Sequence, residues 1–268
     1  MAPTPSLPGG FRPELIALDV DDTLIHHNGS VSERVVESIA RVVAAGICVV
    51  LATGRTPSTT IPVARAAGID DLVVCSNGAL LVSVATEQTI EAITFDPRPV
   101  LEELVQHLPD AVYAVEDVNG IFHATEVFAA GVLGMSVRQV PFEHLLTEPV
   151  IRLVVRSEHH VESGFGPVVE RLGYDSVIFG VADVAWMDIG AKGVNKATML
   201  ARLCELRDID SARTIAIGDF WNDIEMLTWA GWGVAMGSAP ASVKAVANAV
   251  TSDIAGEGVA DVLDSIVL

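Results

Sequence analysis

Three carboxylates stand at the end of a stretch that otherwise has the character of a buried strand. In LIALDVDDTLI, the apolar residues that begin at Leu15 run directly into Asp19, Asp21 and Asp22. Like charges at this spacing repel one another, and burial of even one carboxylate is costly unless it is paired. Taken alone, the stretch is explained by a solvated loop, a helix cap or a bound cation.

Two further polar clusters follow apolar runs of the same kind. Thr53-Gly54-Arg55 comes directly after the run 47–52, and Asp219, Asn222 and Asp223 follow the run 214–218. In an open parallel sheet, ligands bind outside the carboxyl ends of the strands. The sequence therefore predicts that all three clusters lie on one edge of a sheet.

A lysine breaks a local rule of helix formation. In GVNKATML, Asn195 is a plausible N-cap, which places Lys196 in the first helical turn. A cation there opposes the helix dipole, and residues that break such rules are often functional. A surface lysine remains the alternative when this segment is considered alone.

The elements that position these residues alternate between strand and helix. Short runs rich in Val and Ile predict buried parallel strands at 15–19, 47–52, 72–75, 214–218 and 232–236. Helical periodicity predicts helices at 31–45, 57–67, 196–206 and 222–230. This alternation predicts an α/β protein with a Rossmann-like, doubly wound parallel sheet.

The middle of the chain has a different pattern, in which two strands and a helix occur twice. It includes a hairpin turn signal at Asn119-Gly120 and a helix near 161–172. We predict a separate α+β domain inserted into the first one. The predicted division is 1–82 and 185–268 for the core domain and 83–184 for the insert.

Composition limits the possible partners. The 268-residue chain is half hydrophobic and carries a net charge of −19, which argues against nucleic acid and anionic membranes as partners. An anionic substrate would need local positive charge or a metal ion. The three cysteines are dispersed and no secretory signal precedes the first strand, so we expect a reducing, cytoplasmic location.

The predicted edge combines groups that suit one type of chemistry. Its carboxylates are hard oxygen ligands of the kind that Mg²⁺ prefers, so a divalent cation would explain why the acids tolerate one another. Thr53 and Lys196 would then bind an anion bridged to that cation. A metal ion, an anion site and a carboxylate nucleophile together indicate phosphoryl transfer.

The order of these motifs resembles the haloacid dehalogenase superfamily of phosphatases. DxD at Asp19 and Asp21 is followed by a strand-end threonine, a lysine and GDxxND at 218–223. LATGR, CSNGA, GVNKATML and GVAMGSA resemble the Cof-type branch, in which an α/β cap is inserted between the second and third motifs. The resemblance spans nearly the whole chain, and the insert is its least informative part.

The resemblance implies a role for each motif residue. Asp19 would be the nucleophile that forms an aspartyl-phosphate, and Asp21 the general acid and then the general base. Mg²⁺ would be ligated by Asp19, the backbone carbonyl of Asp21, and Asp219, with Asp223 holding it directly or through water. The residues expected to contact the phosphoryl group or substrate are Thr53, Gly54, Arg55, Asn77, Lys196 and Asn222.

The chain also departs from the family pattern. Asp22 stands where the family usually has Gly, and we expect it to point away from the site. Trp221 either packs against the core or lines the substrate entrance. The predicted activity is hydrolysis of a small phosphorylated metabolite such as a sugar phosphate. A phosphomutase and a non-catalytic sensor of metal and phosphate remain alternatives, and the sequence does not predict the oligomeric state.

Overall fold

The structure is a computed structural model that describes residues 7–126, 137–157, 174–181 and 184–266. Its helices are α1 (Glu33–Ala44), α2 (Pro57–Ala66), α3 (Arg98–His107), α4 (Lys196–Arg207), α5 (Ile224–Trp229), α6 (Ala241–Val246) and α7 (Gly258–Asp264). Its strands are β1 (Leu15–Leu18), β2 (Cys48–Ala52), β3 (Leu72–Cys75), β4 (Leu80–Ser83), β5 (Thr89–Ala92), β6 (Val112–Glu116), β7 (Phe122–Ala124), β8 (Val137–Gln139), β9 (Arg152–Ser157), β10 (Tyr174–Val181), β11 (Val184–Ala191), β12 (Thr214–Gly218), β13 (Trp232–Ala235) and β14 (Ala249–Val250).

The first sheet has the strand order β14-β13-β12-β1-β2-β3-β4-β5. From β14 to β3 all neighbours are parallel, whereas β4 and β5 add an antiparallel edge. The order reverses direction between β1 and β12, and this switch point is where ligands bind in open α/β sheets. The predicted α/β class, its five core strands and their parallel pairing are confirmed.

Both faces of this sheet are covered. Along β1, Ile16 and Leu18 face one hydrophobic core, while Leu15 and Ala17 face the other. Because successive side chains of a strand point to opposite faces, a strand buried on both sides must be apolar throughout, as β1 is. The two cores fix β1, and with it the residues that follow it.

The helix α1 shows how the sequence sets local structure. Ser32 caps it by accepting a hydrogen bond from the Val35 amide at 3.2 Å, so the helix begins at Glu33 and not at residue 31 as predicted. Its buried residues Val35, Ile39 and Val42 lie on the side that packs on the sheet. Gly46, with φ +86°, ends it in the left-handed conformation.

The second sheet has the order β10-β11-β9-β6-β7-β8 and is antiparallel except between β7 and β8. Val100, Leu101 and Leu104 of α3 pack against it. The predicted turn at Asn119-Gly120 joins β6 to β7, with Gly120 at φ +74°, which confirms the hairpin. The helix predicted near 161–172 lies outside the described residues.

The hairpin of β4 and β5 extends the first sheet, although the predicted boundary at 83 assigns β5 to the insert. β4 pairs with β3 through four register pairs, from Leu72 with Ser83 to Cys75 with Leu80. Alternating sequence in an edge strand does not reveal which sheet it joins. The division at 83 and 184 stays a prediction.

None of the helices among the described residues combines the length and apolar content that crossing a bilayer requires.

Candidate active site

The acidic cluster after β1 and the acidic cluster after β12 meet at the switch point of the first sheet. The amide of Asp19 donates to the carbonyl of Ile217 at 2.9 Å, which continues the pairing of β1 with β12 beyond the last paired residues. Asp219 follows β12 directly, so the two carboxylates lie on adjacent strand ends. Both side chains are buried. The sequence-based expectation that these clusters share one edge agrees with this geometry.

Lys196 is fully buried between two carboxylates. Its Nζ donates to Asp19 Oδ1 at 2.5 Å and to Asp223 Oδ1 at 2.7 Å. The alternative interpretation of Lys196 as a surface lysine, which the local pattern left open, is therefore wrong. The Asn195 side chain caps α4 by accepting from the Thr198 amide at 3.1 Å, as predicted, and this fixes where the helix begins.

A tight turn presses the start of α4 onto the sheet edge. Gly78 follows β3 with φ +95°, and a Cβ placed on it would lie 1.9 Å from the carbonyl oxygen of Asn195. Only glycine fits that approach and that backbone conformation. This contact holds the first turn of α4, and so Lys196, against the strand ends.

Asp223 has both carboxylate oxygens occupied by protein donors. Oδ2 accepts from the backbone amides of Asp219 and Phe220, each at 2.9 Å, while Oδ1 accepts from Lys196. A Cβ on Gly218 would lie 2.5 Å from Asp223 Cγ, so glycine is required at the end of β12. These hydrogen bonds from Asp223 therefore fix the conformation of the loop that carries Asp219.

Burial sets the protonation of these groups. Burial raises the pKa of Asp19 well above its usual range, and the Lys196 ammonium opposes that shift. Burial, and next the charge of Asp223, raises the pKa of Asp219 to about 6, against a hydrogen bond from Thr23 that lowers it. Although burial alone would lower the pKa of Lys196, Asp19 and Asp223 raise it. The site is short of positive charge.

The donor set fits a divalent cation. Asp19, Asp219 and Asp223 each offer a carboxylate oxygen, and these atoms lie within 4.8 Å of one another. Three carboxylates against the single ammonium of Lys196 leave two negative charges uncompensated. Mg²⁺ prefers such oxygen ligands and would supply the missing charge.

The polar cluster after β2, Thr53-Gly54-Arg55, supplies groups suited to binding an anion. Thr53 is buried at the end of β2, where its amide donates to the Val74 carbonyl at 3.0 Å and its Oγ1 accepts from the Arg55 amide at 3.1 Å. The hydroxyl proton of Thr53 is then available to donate. Arg55 forms a bidentate pair with Asp21, from Nε to Oδ2 at 2.8 Å and from Nη2 to Oδ1 at 2.5 Å.

Two asparagines connect the loops around the site. Asn222 Nδ2 donates to Asn77 Oδ1 at 3.0 Å, which joins the loop after β12 to the turn after β3. Asn77 has φ +54°, and its side chain lies 3.0 Å from where a Cβ on Gly54 would stand. All the residues selected from sequence therefore belong to one connected edge of the sheet.

Two residues near the acidic loop add to the sequence analysis. Thr23, which was not selected, donates from Oγ1 to Asp219 Oδ1 at 3.1 Å. Its position directly after the acidic cluster was the only signal, and that signal is weak for a common residue type. Trp221 does not pack in the core: it is 56% exposed, and its ring contacts the Phe220 ring in a tilted arrangement at a centroid distance of 4.4 Å.

Comparisons with known proteins agree with this geometry. The profile of the haloacid dehalogenase-like hydrolases matches residues 16–263. The chain is 28% identical to a pyridoxal phosphate phosphatase of Escherichia coli, over 94% of this chain and 97% of the relative. It is 30% identical to a phosphoglycolate phosphatase of Archaeoglobus fulgidus, over 94% and 96%.

A solved structure has the same fold over nearly its full length. This phosphatase of the haloalkanoate superfamily, from Bacteroides thetaiotaomicron, is 26% identical, with a TM-score of 0.80 over 97% of this chain and 98% of that one. The match extends through both sheets, so it includes the strand ends that carry the acidic clusters. The chain therefore belongs to the haloacid dehalogenase-like hydrolases, and its activity is that of a phosphatase.

Proposed function

We propose that the chain is a Mg²⁺-dependent phosphatase that hydrolyses the monoester of a small phosphorylated metabolite through a phosphoryl group carried by Asp19. One observation carries this proposal. Asp19 is buried with Oδ1 anchored by Lys196, while no hydrogen-bond donor in the described part of the chain contacts Oδ2. A carboxylate that is held by one oxygen and open at the other is arranged as a nucleophile.

The proposed reaction has two displacements at phosphorus. Asp19 Oδ2 attacks the phosphorus atom, the ester oxygen departs, and Asp21 transfers a proton to it. Asp21 then takes a proton from water, which attacks the same phosphorus, so that inorganic phosphate is released and the Asp19 carboxylate is restored. Arg55 holds both oxygens of Asp21 in this structure, so this ion pair must open for Asp21 to exchange a proton.

Four groups would hold the phosphoryl oxygens: the Thr53 hydroxyl, the backbone amide of Gly54, Lys196 and Asn222. The metal ion would be held by Asp19, Asp219 and the backbone carbonyl of Asp21, with Asp223 as an orienting or water-mediated ligand because its oxygens already accept from protein donors. When bound, Mg²⁺ neutralises charge on the phosphoryl group.

The substrate class comes from the relatives, whose names refer to different small phosphorylated molecules: pyridoxal phosphate, phosphoglycolate and a phosphoribitylamino-uracil. That diversity supports the class and not one compound. We propose that the insert predicted at 83–184 covers the leaving group and sets this preference.

The test is an activity screen with matched variants. The purified chain should release inorganic phosphate from p-nitrophenyl phosphate and from a panel of phosphorylated metabolites with Mg²⁺, and lose activity in EDTA. Asp19→Asn should abolish turnover. Asp22→Asn is the control, since Asp22 has φ +57° and asparagine tolerates that conformation. An isomerised phosphate ester as product would indicate a mutase, and the absence of turnover on every substrate would favour the sensor.

A further inference from the structure

A buried group of charges lies where the second sheet meets the strand ends of the first. Arg152 of β9 contacts Glu116 at the end of β6, from Nε to Oε2 at 2.8 Å and from Nη2 to the same oxygen at 2.7 Å. Its Nη1 lies 3.1 Å from Asp188 Oδ2 on β11. Glu116 is fully buried. We call these three residues the Arg152 cluster.

The Arg152 cluster contacts both loops that lie beside the acidic residues. Arg152 Nη1 donates to the carbonyl oxygen of Gly54 at 3.1 Å, within the segment that follows β2. Ser76 Oγ, in the turn after β3, donates to Glu116 Oε1 at 2.8 Å. The cluster thus connects the second sheet to the segment that carries Thr53 and to the turn that carries Asn77.

The bond to Gly54 fixes one planar unit from one side. The carbonyl of Gly54 and the amide of Arg55 belong to the same peptide group, which is rigid and trans. Arg152 holds the carbonyl, and the Thr53 hydroxyl oxygen accepts from the amide at 3.1 Å. The orientation of this peptide therefore determines where the lone pair of Thr53 is engaged and where its proton can point.

We propose that Arg152 is a positioning residue for phosphoryl transfer: by holding the Gly54–Arg55 peptide, it orients the Thr53 hydroxyl toward the phosphoryl group. This inference rests on the proposed function. It also agrees with the presence of arginine here, because the planar guanidinium spreads its donors over three nitrogens in a fixed arrangement that reaches two carboxylates and a carbonyl. A lysine ammonium would retain the charge but would lack that geometry.

The surroundings of Arg152 favour positioning over direct contact with substrate. Its side chain is only 13% exposed, its Nε, Nη1 and Nη2 all contact protein oxygens, and its guanidinium lies 5.2 Å from the centroid of the Phe122 ring. Burial raises the pKa of Glu116, and the Arg152 charge opposes that shift. The guanidinium is therefore committed to the protein.

The test is a double-mutant cycle with Thr53. Arg152→Lys should lower kcat/KM about 10²-fold on p-nitrophenyl phosphate and equally on a sugar phosphate, since misplacement of about 1 Å costs that much whatever the leaving group. Arg98→Lys is the control, because Arg98 also donates to a backbone carbonyl, that of Leu146 at 2.9 Å. Leu146 lies in the segment between β8 and β9, so this bond does not join the second sheet to the first. Arg98→Lys should keep wild-type kcat/KM.

The cycle separates positioning from general loss of structure. If Arg152 acts through Thr53, Arg152→Lys should cost little more once Thr53→Val has removed the hydroxyl, since residues that share one interaction are not additive. Additive losses, a loss confined to one leaving group, or no loss would overturn the inference. If Arg152→Lys lowers the melting temperature too far, Glu116→Gln replaces it, because Gln keeps the acceptor for Ser76 and loses the charge that holds Arg152. An inactive wild type would refute the proposed function instead.

Discussion

Removal of the Lys196 ammonium should be among the most destabilising single changes in the protein. Lys196→Met keeps an unbranched side chain of similar length but leaves Asp19 and Asp223 buried without their shared cation. Breaking a buried ion pair costs about 3–5 kcal/mol in the free energy of unfolding. Because two carboxylates lose their partner, we expect a loss at the upper end of that range.

A second lysine provides the matched control. Lys244 is partly buried, and its Nζ donates at 2.6 Å to a neutral acceptor, the carbonyl of Gly237. Lys244→Met removes one hydrogen bond from a charged donor, and such a bond contributes about 1.5–3 kcal/mol at most to the free energy of unfolding. The difference between the two variants isolates the cost of leaving carboxylates without a cation.

Urea unfolding in EDTA measures both losses without a contribution from bound metal. The deficit of Lys196→Met in the free energy of unfolding should narrow at acidic pH, because Asp19 no longer needs a cation once it is protonated. The burial that raises the pKa of Asp19 makes this protonation easier. The reasoning is refuted if Lys196→Met loses no more stability than Lys244→Met, or if its deficit does not change with pH.

Three further predictions concern other parts of the molecule. Burial alone would raise the pKa of Asp264, but the hydrogen bonds that it accepts from Ser38 and Arg34 of α1 lower this pKa. The stabilising effect of Asp264 should therefore disappear as the pH falls through that lowered pKa. In thermal melts, Asp264→Asn should cost under about 1 kcal/mol at neutral pH, and the stability of this variant should depend less on acidic pH than that of the wild type. Gly78→Ala should destabilise by more than the 1–2 kcal/mol or so expected of Gly46→Ala, since both have positive φ but only Gly78 also meets the Asn195 carbonyl; equal losses in urea would contradict this. Asp21→Asn should slow the pre-steady-state burst by about 10²–10⁴-fold with a sugar phosphate and far less with p-nitrophenyl phosphate, whose leaving group needs no proton; equal slowing would remove the acid role.

The central strands of the first sheet were predictable because burial on both faces leaves no charged positions and few polar ones. β1 and β12 are fully buried, and the polar residues that follow them mark where each strand ends. Since parallel strands align their carboxyl ends, the meeting of Asp19 with Asp219 followed from the order of elements. These inferences needed only local patterns and one rule of topology.

The contacts between the two sheets could not be predicted in the same way. Arg152 and Arg156 both occur in RLVVRS, and nothing in that segment distinguishes the arginine that reaches Gly54 from the one that lies over the Trp186 ring at 5.9 Å. The difference arises only when β9 pairs with β6 and β11. Likewise, the burial of Lys196 depends on the close contact of Gly78 with Asn195, which joins segments far apart in sequence.

The central claim, a phosphoryl group carried by Asp19, is tested most directly by trapping it. Wild-type protein is mixed with substrate and Mg²⁺, quenched during the burst and treated with borohydride, which reduces an aspartyl-phosphate to homoserine. Peptide mass spectrometry then locates the reduced residue. Homoserine at position 19, present with substrate and absent without it, is the predicted result. Homoserine at another aspartate, or rapid phosphate release with position 19 always unmodified, would contradict the account.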